Sequence, residues 1–325
     1  MNGHDPIATT RLGAHGPLVG VQGLGCMGMS EFYGVSDRDE SRATLELALD
    51  RGVSLIDTAD MYGSGDNERF IGPVIRARRA DVLIASKFGF VRTPGEGLNF
   101  SLDNRPEYIR RAIDETLRRL NIETLDLYYM HRRVKDVPLA ESVGAMADLV
   151  TAGKVRYLGL SEVTAQELQE AHSIHPITAV QSEWSLFARD VEAEVVPMAA
   201  ELGIAFVPYA PLGRGMLTGA GLTGAEGDIR GLLPQFGGAA GEHNRQLAAQ
   251  VTALAGQLGV TAAQVALAWV HQRAQVHGLT VVPIPGTRRR VRLQENLAAL
   301  TLRLDAQALA SLDALAASVQ GQRLV

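Results

Sequence analysis

Cysteine is almost missing from this chain. Cys26 is the only one in 325 residues, so no internal disulfide can form. That suits a reducing compartment. No apolar stretch is long enough to cross a bilayer, and the first residues lack the charged and apolar regions of a signal peptide. These absences point to a cytoplasmic protein with no membrane partner. Excess positive charge is lacking as well. A net charge of −5 argues against a nucleic-acid partner. Lysine is the last scarcity: only Lys87, Lys135 and Lys154 occur, and every other basic residue apart from the histidines is arginine. Where arginine serves every generic need, a lysine ending an apolar strand points to proton chemistry, for which its compact charge is suited.

What the chain does have is ordinary for a globular protein, with 46% hydrophobic and 21% charged residues. No linker or shift of composition divides it, so residues 1–325 are expected to form a single domain. Two short strands around Ala14-His15-Gly16-Pro17 suggest an N-terminal β-hairpin. Beyond it, apolar runs read as strands over 21–25, 53–57, 82–87, 125–131, 155–161, 179–182, 204–209 and 279–284. Amphipathic stretches over 41–51, 68–78, 106–120, 138–151, 164–173, 191–202, 244–258 and 261–272 separate nearly all of them. Two more helices, 289–297 and 305–317, close the chain. Thr164-Ala165-Gln166-Glu167 is a capping box, and Thr261 is a good N-cap. Eight βα units predict a (β/α)₈ TIM barrel. A doubly wound open sheet is the alternative, and Gly23, Gly25 and Gly28 match its G-x-G-x-x-G spacing. The helix and acidic residue that should accompany that fingerprint are not where they belong. Between Gly213 and Gly241 lie ten of the 34 glycines without clear periodicity, which suggests a long lid loop over the barrel mouth.

Barrel strands present their carboxyl ends to ligands. At those ends stand Asp57, Lys87 and His131, and Tyr62 follows on the loop after the second strand. A free phenol is a weak acid, with a pKa of about 10. An ammonium group beside it favours the phenolate and should lower that value. Aspartate would hold the lysine in place and keep it charged. Such a tyrosine can protonate a carbonyl oxygen as charge develops there, with the histidine orienting the carbonyl. The four groups supply a proton but no hydride, so a nicotinamide cofactor is required. No metal is expected.

Ordered motifs run through nearly the whole chain. They are Gly-Leu-Gly-Cys-Met-Gly-Met-Ser at 23–30, Leu-Ile-Asp-Thr-Ala-Asp-Met-Tyr-Gly at 55–63, Ala-Ser-Lys-Phe-Gly at 85–89 and Leu-Asp-Leu-Tyr-Tyr-Met-His-Arg at 125–132. Gly-Lys-Val-Arg-Tyr-Leu-Gly-Leu-Ser-Glu at 153–162, Gln-Ser-Glu-Trp-Ser-Leu at 181–186, Pro-Tyr-Ala-Pro-Leu-Gly-Arg-Gly at 208–215 and Ile-Pro-Gly-Thr-Arg-Arg at 284–289 follow. With them the chain resembles the aldo-keto reductase superfamily, within it the microbial branch that includes pyridoxal and auxin-induced reductases. The resemblance implies that Asp57, Tyr62, Lys87 and His131 form the catalytic tetrad and that NADPH is the cofactor. It assigns Ser161, Glu162 and Gln181 to the nicotinamide carboxamide and Tyr209 to stacking on the ring. Leu212 and Gly213 would follow the pyrophosphate, Thr287, Arg288 and Arg292 would meet the ribose phosphate, and Glu295 and Asn296 would hold the adenine. Gly25, Cys26, Met27, Asp57, Ala210, Pro211, Arg214, Ile284 and Gly286 would complete the cofactor surface. Many relatives carry asparagine in place of Glu162 and lysine in place of Gly286. The second departure weakens one phosphate contact, but Arg288, Arg289, Arg290 and Arg292 crowd the same place.

Tyr33, Phe88, Phe90 and Trp184 are candidate walls for a small-molecule carbonyl substrate. Cys26 suits a small apolar filler better than a reactive thiol. Two other functions stay open: an NAD-linked dehydrogenase of an alcohol, pyridoxal or a sugar, and a nucleotide-bound regulatory subunit with little turnover. The sequence gives no subunit count.

Overall fold

A computed structural model describes residues 6–92, 100–219 and 227–321. The chain opens with an antiparallel hairpin, β1 (Thr9–Arg11) and β2 (Leu18–Gly20). Seven parallel strands follow in the order of the chain around a barrel: β3 (Leu24–Gly25), β4 (Leu55–Asp57), β5 (Leu83–Phe88), β8 (Leu125–Met130), β9 (Val155–Ser161), β10 (Ile177–Glu183) and β11 (Ala205–Tyr209). A second hairpin, β6 (Phe90–Arg92) and β7 (Phe100–Leu102), is inserted after β5. It was not anticipated.

The eighth stave is irregular. Only Val281 bridges Phe206 in parallel register. Even so, Phe206 N–H donates to Thr280 O at 2.8 Å, Val282 N–H to Phe206 O at 2.9 Å and Ile284 N–H to Pro208 O at 3.0 Å. On its other side Gly23 N–H reaches Pro283 O at 2.9 Å. These contacts close the barrel between β11 and β3. Pro208 and Pro283 have no N–H to give, which thins the ladder here.

Outside run α1 (Arg38–Asp50), α2 (Asp66–Ala77), α3 (Pro106–Leu120), α4 (Leu139–Thr151), α5 (Ala165–Ile174), α6 (Val195–Glu201), α7 (Gly238–Leu258), α8 (Ala262–His277), α9 (Arg290–Ala298) and α10 (Ala306–Ala316). The expected Thr164 capping box is formed on α5, and Thr261, expected as an N-cap of α8, forms a full capping box with Gln264. The glycine-rich connection is shorter than expected, because α7 begins at Gly238 and turns of 3₁₀ helix occupy Gly213–Thr218, Ile229–Leu232 and Pro234–Phe236. Among the described residues no single helix is long and apolar enough to cross a membrane.

Side chains alternate along a strand, so each stave has an inner and an outer set. The inner set includes Leu55, Leu83, Ala85, Leu127, Tyr129, Ala179, Ala205 and Val207, with Leu12 and Val19 of the hairpin packed into the same cluster. Ile56, Ile84, Phe88, Tyr128, Met130, Leu158 and Val180 belong to the outer set under the helices. Continuing the inner set to the carboxyl ends brings Asp57, Lys87, His131, Ser161, Gln181 and Tyr209 to the mouth. One position in the middle of the barrel must be small. A Cβ on Gly159 would sit 2.4 Å from the Tyr129 ring and 3.0 Å from Ala179 O. We expect Gly159→Ala to destabilise the fold by about 1–3 kcal/mol through overpacking, read as a lower denaturant midpoint in equilibrium unfolding. An unchanged midpoint would show that the ring can give way.

Candidate active site

The mouth is built around Lys87. Its ammonium, at the end of β5, donates to Asp57 Oδ1 at 2.5 Å, to Thr58 O at 2.9 Å and to Tyr62 Oη at 3.4 Å. Three partners use its three protons. Gln181 Nε2 donates to the other Asp57 oxygen at 2.8 Å. The Lys87 and Asp57 side chains are 1% and 4% exposed. His131 meets the Tyr62 ring edge-on at 6.1 Å between centroids. All four residues named from the sequence therefore lie together at the barrel mouth.

Local backbone shape aims the phenol. After Tyr62 the chain takes three left-handed steps, at Gly63, Ser64 and Gly65, before α2 starts. Gly65 has a second reason to be glycine, since a Cβ there would strike Arg119 Cδ at 2.4 Å. Buried groups on α2 brace the turn. Asn67 accepts from Thr58 Oγ1 and donates to Cys26 O and Ser30 Oγ. Glu68 accepts from Ser86 Oγ at 2.6 Å and pairs with Arg119 at 2.5 Å. Neither was singled out from the sequence. The signal was there, as two polar residues opening a helix directly behind a glycine turn.

Electrostatics departs from the sequence expectation at one point. Burial pushes the Tyr62 hydroxyl above its ordinary pKa, and the Asp57 charge adds to this; Lys87 opposes the shift without reversing it. The phenol is thus held in its proton-bearing form. For Lys87, burial favours loss of the proton, but Asp57 and Tyr62 outweigh it and its pKa is raised. Burial, followed by the charges of Arg132 and Lys87, drives His131 well below the usual histidine value, so the ring is neutral. Its Nδ1 is buried without a partner.

Ser161 and Gln181 are buried at the ends of β9 and β10, and Glu162 accepts from Glu183 N–H at 2.8 Å. Tyr209 is half-buried, with the Arg214 guanidinium 5.7 Å from its ring centre. Arg214 pairs with Glu183 at 2.9 Å. Ala210, Gly213, Arg214 and Gly215 all have left-handed backbone, so Pro211 and Leu212 lie in a tightly wound loop. Opposite, a Cβ on Gly286 would come within 3.3 Å of Gly25 O.

Several residues assigned to the cofactor are engaged within the protein. Cys26 is fully buried in the outer core, its N–H bonded to Asp57 O and its carbonyl to Asn67. Burial also raises its thiol pKa far above normal, which makes it an inert filler. Arg288 is committed to backbone, donating to Gly28 O, Gly34 O and Tyr33 O at 2.9–3.2 Å. Arg290 pairs with Glu40 and Arg292 with Glu295, while Arg289 has no ion pair among the described residues. Thr287 Oγ1 accepts from Arg289 N–H at 3.2 Å, and Asn296 is buried in α9. Ile284 belongs to the barrel interior.

Among the candidate substrate walls, Phe88 and Trp184 fall outside the mouth. Both lie in the outer core, Phe88 against Tyr128 and Trp184 against Phe206 and His277. Phe90 does face the site, packing edge-on against His131 at 4.8 Å. It joins a cluster of Phe32, Ala59, Met61, Tyr62, Met27 and Ile229 that sequence reading largely missed. Tyr33 is tied to the glycine-rich connection by a backbone bridge to Asp228, while Ile229 N–H donates to Phe32 O at 3.1 Å.

Comparison with known proteins now gives the class. Residues 23–317 match the model of the aldo/keto reductase family, and the chain belongs to that family, whose members use nicotinamide cofactors. An aldo/keto reductase of Klebsiella pneumoniae in complex with NADP and acetate is 28% identical, with a TM-score of 0.74 over 98% of this chain and 99% of that one. The holo form of a Bacillus halodurans aldo-keto reductase is 25% identical, with a TM-score of 0.78 over 97% and 99%. A glycerol dehydrogenase of Gluconobacter oxydans shares the fold, with a TM-score of 0.84 over 100% and 98% at 24% identity.

Proposed function

We propose that this protein reduces aldehydes or ketones to alcohols with NADPH. The carrying observation is the cluster at the barrel mouth in which the Tyr62 hydroxyl meets Lys87 and Asp57 beside His131, with the phenol held in its protonated form. Features that favour a dinucleotide beside it are the left-handed loop at Ala210 to Gly215, the close approach of Gly25 and Gly286, and the half-buried Tyr209 face. The Klebsiella relative is in complex with NADP, which agrees with this choice. When bound, the cofactor supplies the hydride.

The chain's own residues do the rest. His131, neutral, orients the substrate carbonyl and leaves its oxygen free to accept the Tyr62 proton. As the proton leaves, phenolate charge develops 3.4 Å from the Lys87 ammonium, which stabilises it. Asp57 keeps that ammonium charged and fixed, and Gln181 fixes Asp57. Ser161 and Glu162 would join Gln181 at the nicotinamide carboxamide. The adenosine phosphate would be met by Thr287, Arg289 and Arg292, because Arg288 is already spent on carbonyls. Arg292 is bound only by a partly exposed pair within its own helix, to Glu295 at 3.1 Å.

Tyr62→Phe should lower kcat by about 10³-fold or more, while NADPH affinity by fluorescence titration stays within about threefold. Loss of affinity together with turnover would make the tyrosine structural. A Tyr62 pKa above about 10 is the one through which reduction would be lost on raising pH, and His131 would gain its proton only well below about 6.5. The pH profile of kcat/KM for reduction should thus stay level from about pH 7 to 9; a limb inside that window would contradict the assigned protonation states. Measured with both reduced cofactors, kcat/KM should be higher with NADPH than with NADH, and a ratio at or below one would refute the phosphate site.

A further inference from the structure

Beside His131 stands a charge that the reaction above does not use. Arg132 follows the end of β8, and its Nη1 donates to His131 O at 2.7 Å and to Ser161 Oγ at 3.3 Å. The guanidinium carbon lies 5.9 Å from the centre of the Phe90 ring, the same ring that packs against His131. Its charge reaches the chemistry, favouring the Tyr62 phenolate and opposing protonation of His131. Three other arginines around the mouth are paired with carboxylates: Arg92 with Glu31, Arg214 with Glu183 and Arg230 with Asp228. Arg132 is not. Among the described residues it has no carboxylate within 4.0 Å, and its Nε and Nη2 have no hydrogen-bond partner.

Lys87 and Asp57 cancel as a pair and His131 is neutral. Glu162, the carboxylate beside Ser161, turns to the Glu183 N–H at 2.8 Å, and Arg132 keeps its cationic face toward Phe90. A guanidinium fork with one prong anchored and the rest free suits a two-pronged grip on an oxyanion. The apolar cluster of Phe32, Met61, Phe90 and Ile229 lowers the local dielectric and strengthens such a contact.

We propose that Arg132 receives a carboxylate of the substrate, so that the pocket selects aldehydes and ketones bearing an acid group a few atoms from the C=O. This rests on the reductase reading and names its substrate class. Arg132 is then a specificity-determining residue. The competing role is purely structural, bracing the His131 carbonyl and Ser161.

A matched pair of substrates separates them: 4-carboxybenzaldehyde and 4-methylbenzaldehyde, alike in shape and different in charge. Native protein should favour the acid in kcat/KM by about tenfold or more, with the preference shrinking as salt is raised. Arg132→Met should cost the acid at least about tenfold more than the neutral aldehyde, mainly through KM, and Arg132→Lys should restore part of it. Equal losses on both aldehydes, or no preference in the native protein, would overturn the proposal. A readout without turnover is calorimetric titration of 4-methylbenzoate into the NADP+-loaded protein, with binding expected to weaken about tenfold in Arg132→Met. If neither aldehyde is reduced but benzoate binding depends on Arg132, the reductase reading fails and the anion site stands. If both aldehydes are reduced and benzoate binding is absent or indifferent to the substitution, the anion site alone falls.

Discussion

The buried ion pair of Lys87 and Asp57 is the constraint to which the rest of the mouth conforms. Taking two charges out of water is expensive, and the cost is met only when geometry is tight and the remaining polar atoms are bonded. Here they are: the ammonium finds a carboxylate, a backbone carbonyl and a phenol, and the carboxylate's second oxygen finds Gln181. Removing either partner would strand a charge in the barrel at a cost of about 3–5 kcal/mol. Neighbouring positions are accordingly fixed. Thr58 O must point inward, which places the 58–62 loop, and Asn67 holds Thr58 from behind.

In the proposed reaction, that same pair lets the phenol keep its proton until a carbonyl accepts it. Burial alone raises the Tyr62 pKa, and the carboxylate behind the lysine adds to the shift. A lysine without its aspartate would give up its own proton more easily. An aspartate without its lysine would repel the developing phenolate. Together they present little net field to the resting hydroxyl and a nearby cation to the charge that forms when the proton departs, which is the differential stabilisation that catalysis needs.

How far the sequence foretold this depends on which rule governs each residue. The barrel was legible because eight apolar runs alternate with helical patterns. The cluster of Asp57, Tyr62, Lys87 and His131 was legible because strand ends and chemically versatile residue types coincided at 57, 87 and 131. Alternation along the strands held more than was taken from it. Positions 83, 85 and 87 face inward, so Phe88 must face the helices; 179 and 181 face inward, so Trp184, with the parity of 180 and 182, joins the outer core. Residue type suggested a pocket wall, and parity decides otherwise. Phe32, Met61 and Ile229 were hidden for a different reason, since they come from three separate loops and only the closed chain brings them together. In the arginine run at 288–292 the sequence did not show which side chains are already committed, because local charge does not reveal distant partners: Arg288 is held by the carbonyls of 28–34 and Arg290 by Glu40.

The scarcity of lysine acquires a physical meaning at this point. Arginine makes the ties around the mouth, where its planar fork and permanent charge join one loop to another: Arg92 and Arg214 through ion pairs with Glu31 and Glu183, Arg288 through hydrogen bonds to the carbonyls of Gly28, Tyr33 and Gly34. None of these positions needs a group that points three ways from one atom. Lys87 does, because carboxylate, carbonyl and phenol lie around it in different directions. A guanidinium spreads its donors over a flat area too wide for that space and cannot focus its charge on one oxygen. Lys154, in contrast, sits in an exposed pair with Asp114 where an arginine would serve as well. The one buried lysine among the described residues is thus placed where the geometry admits no substitute.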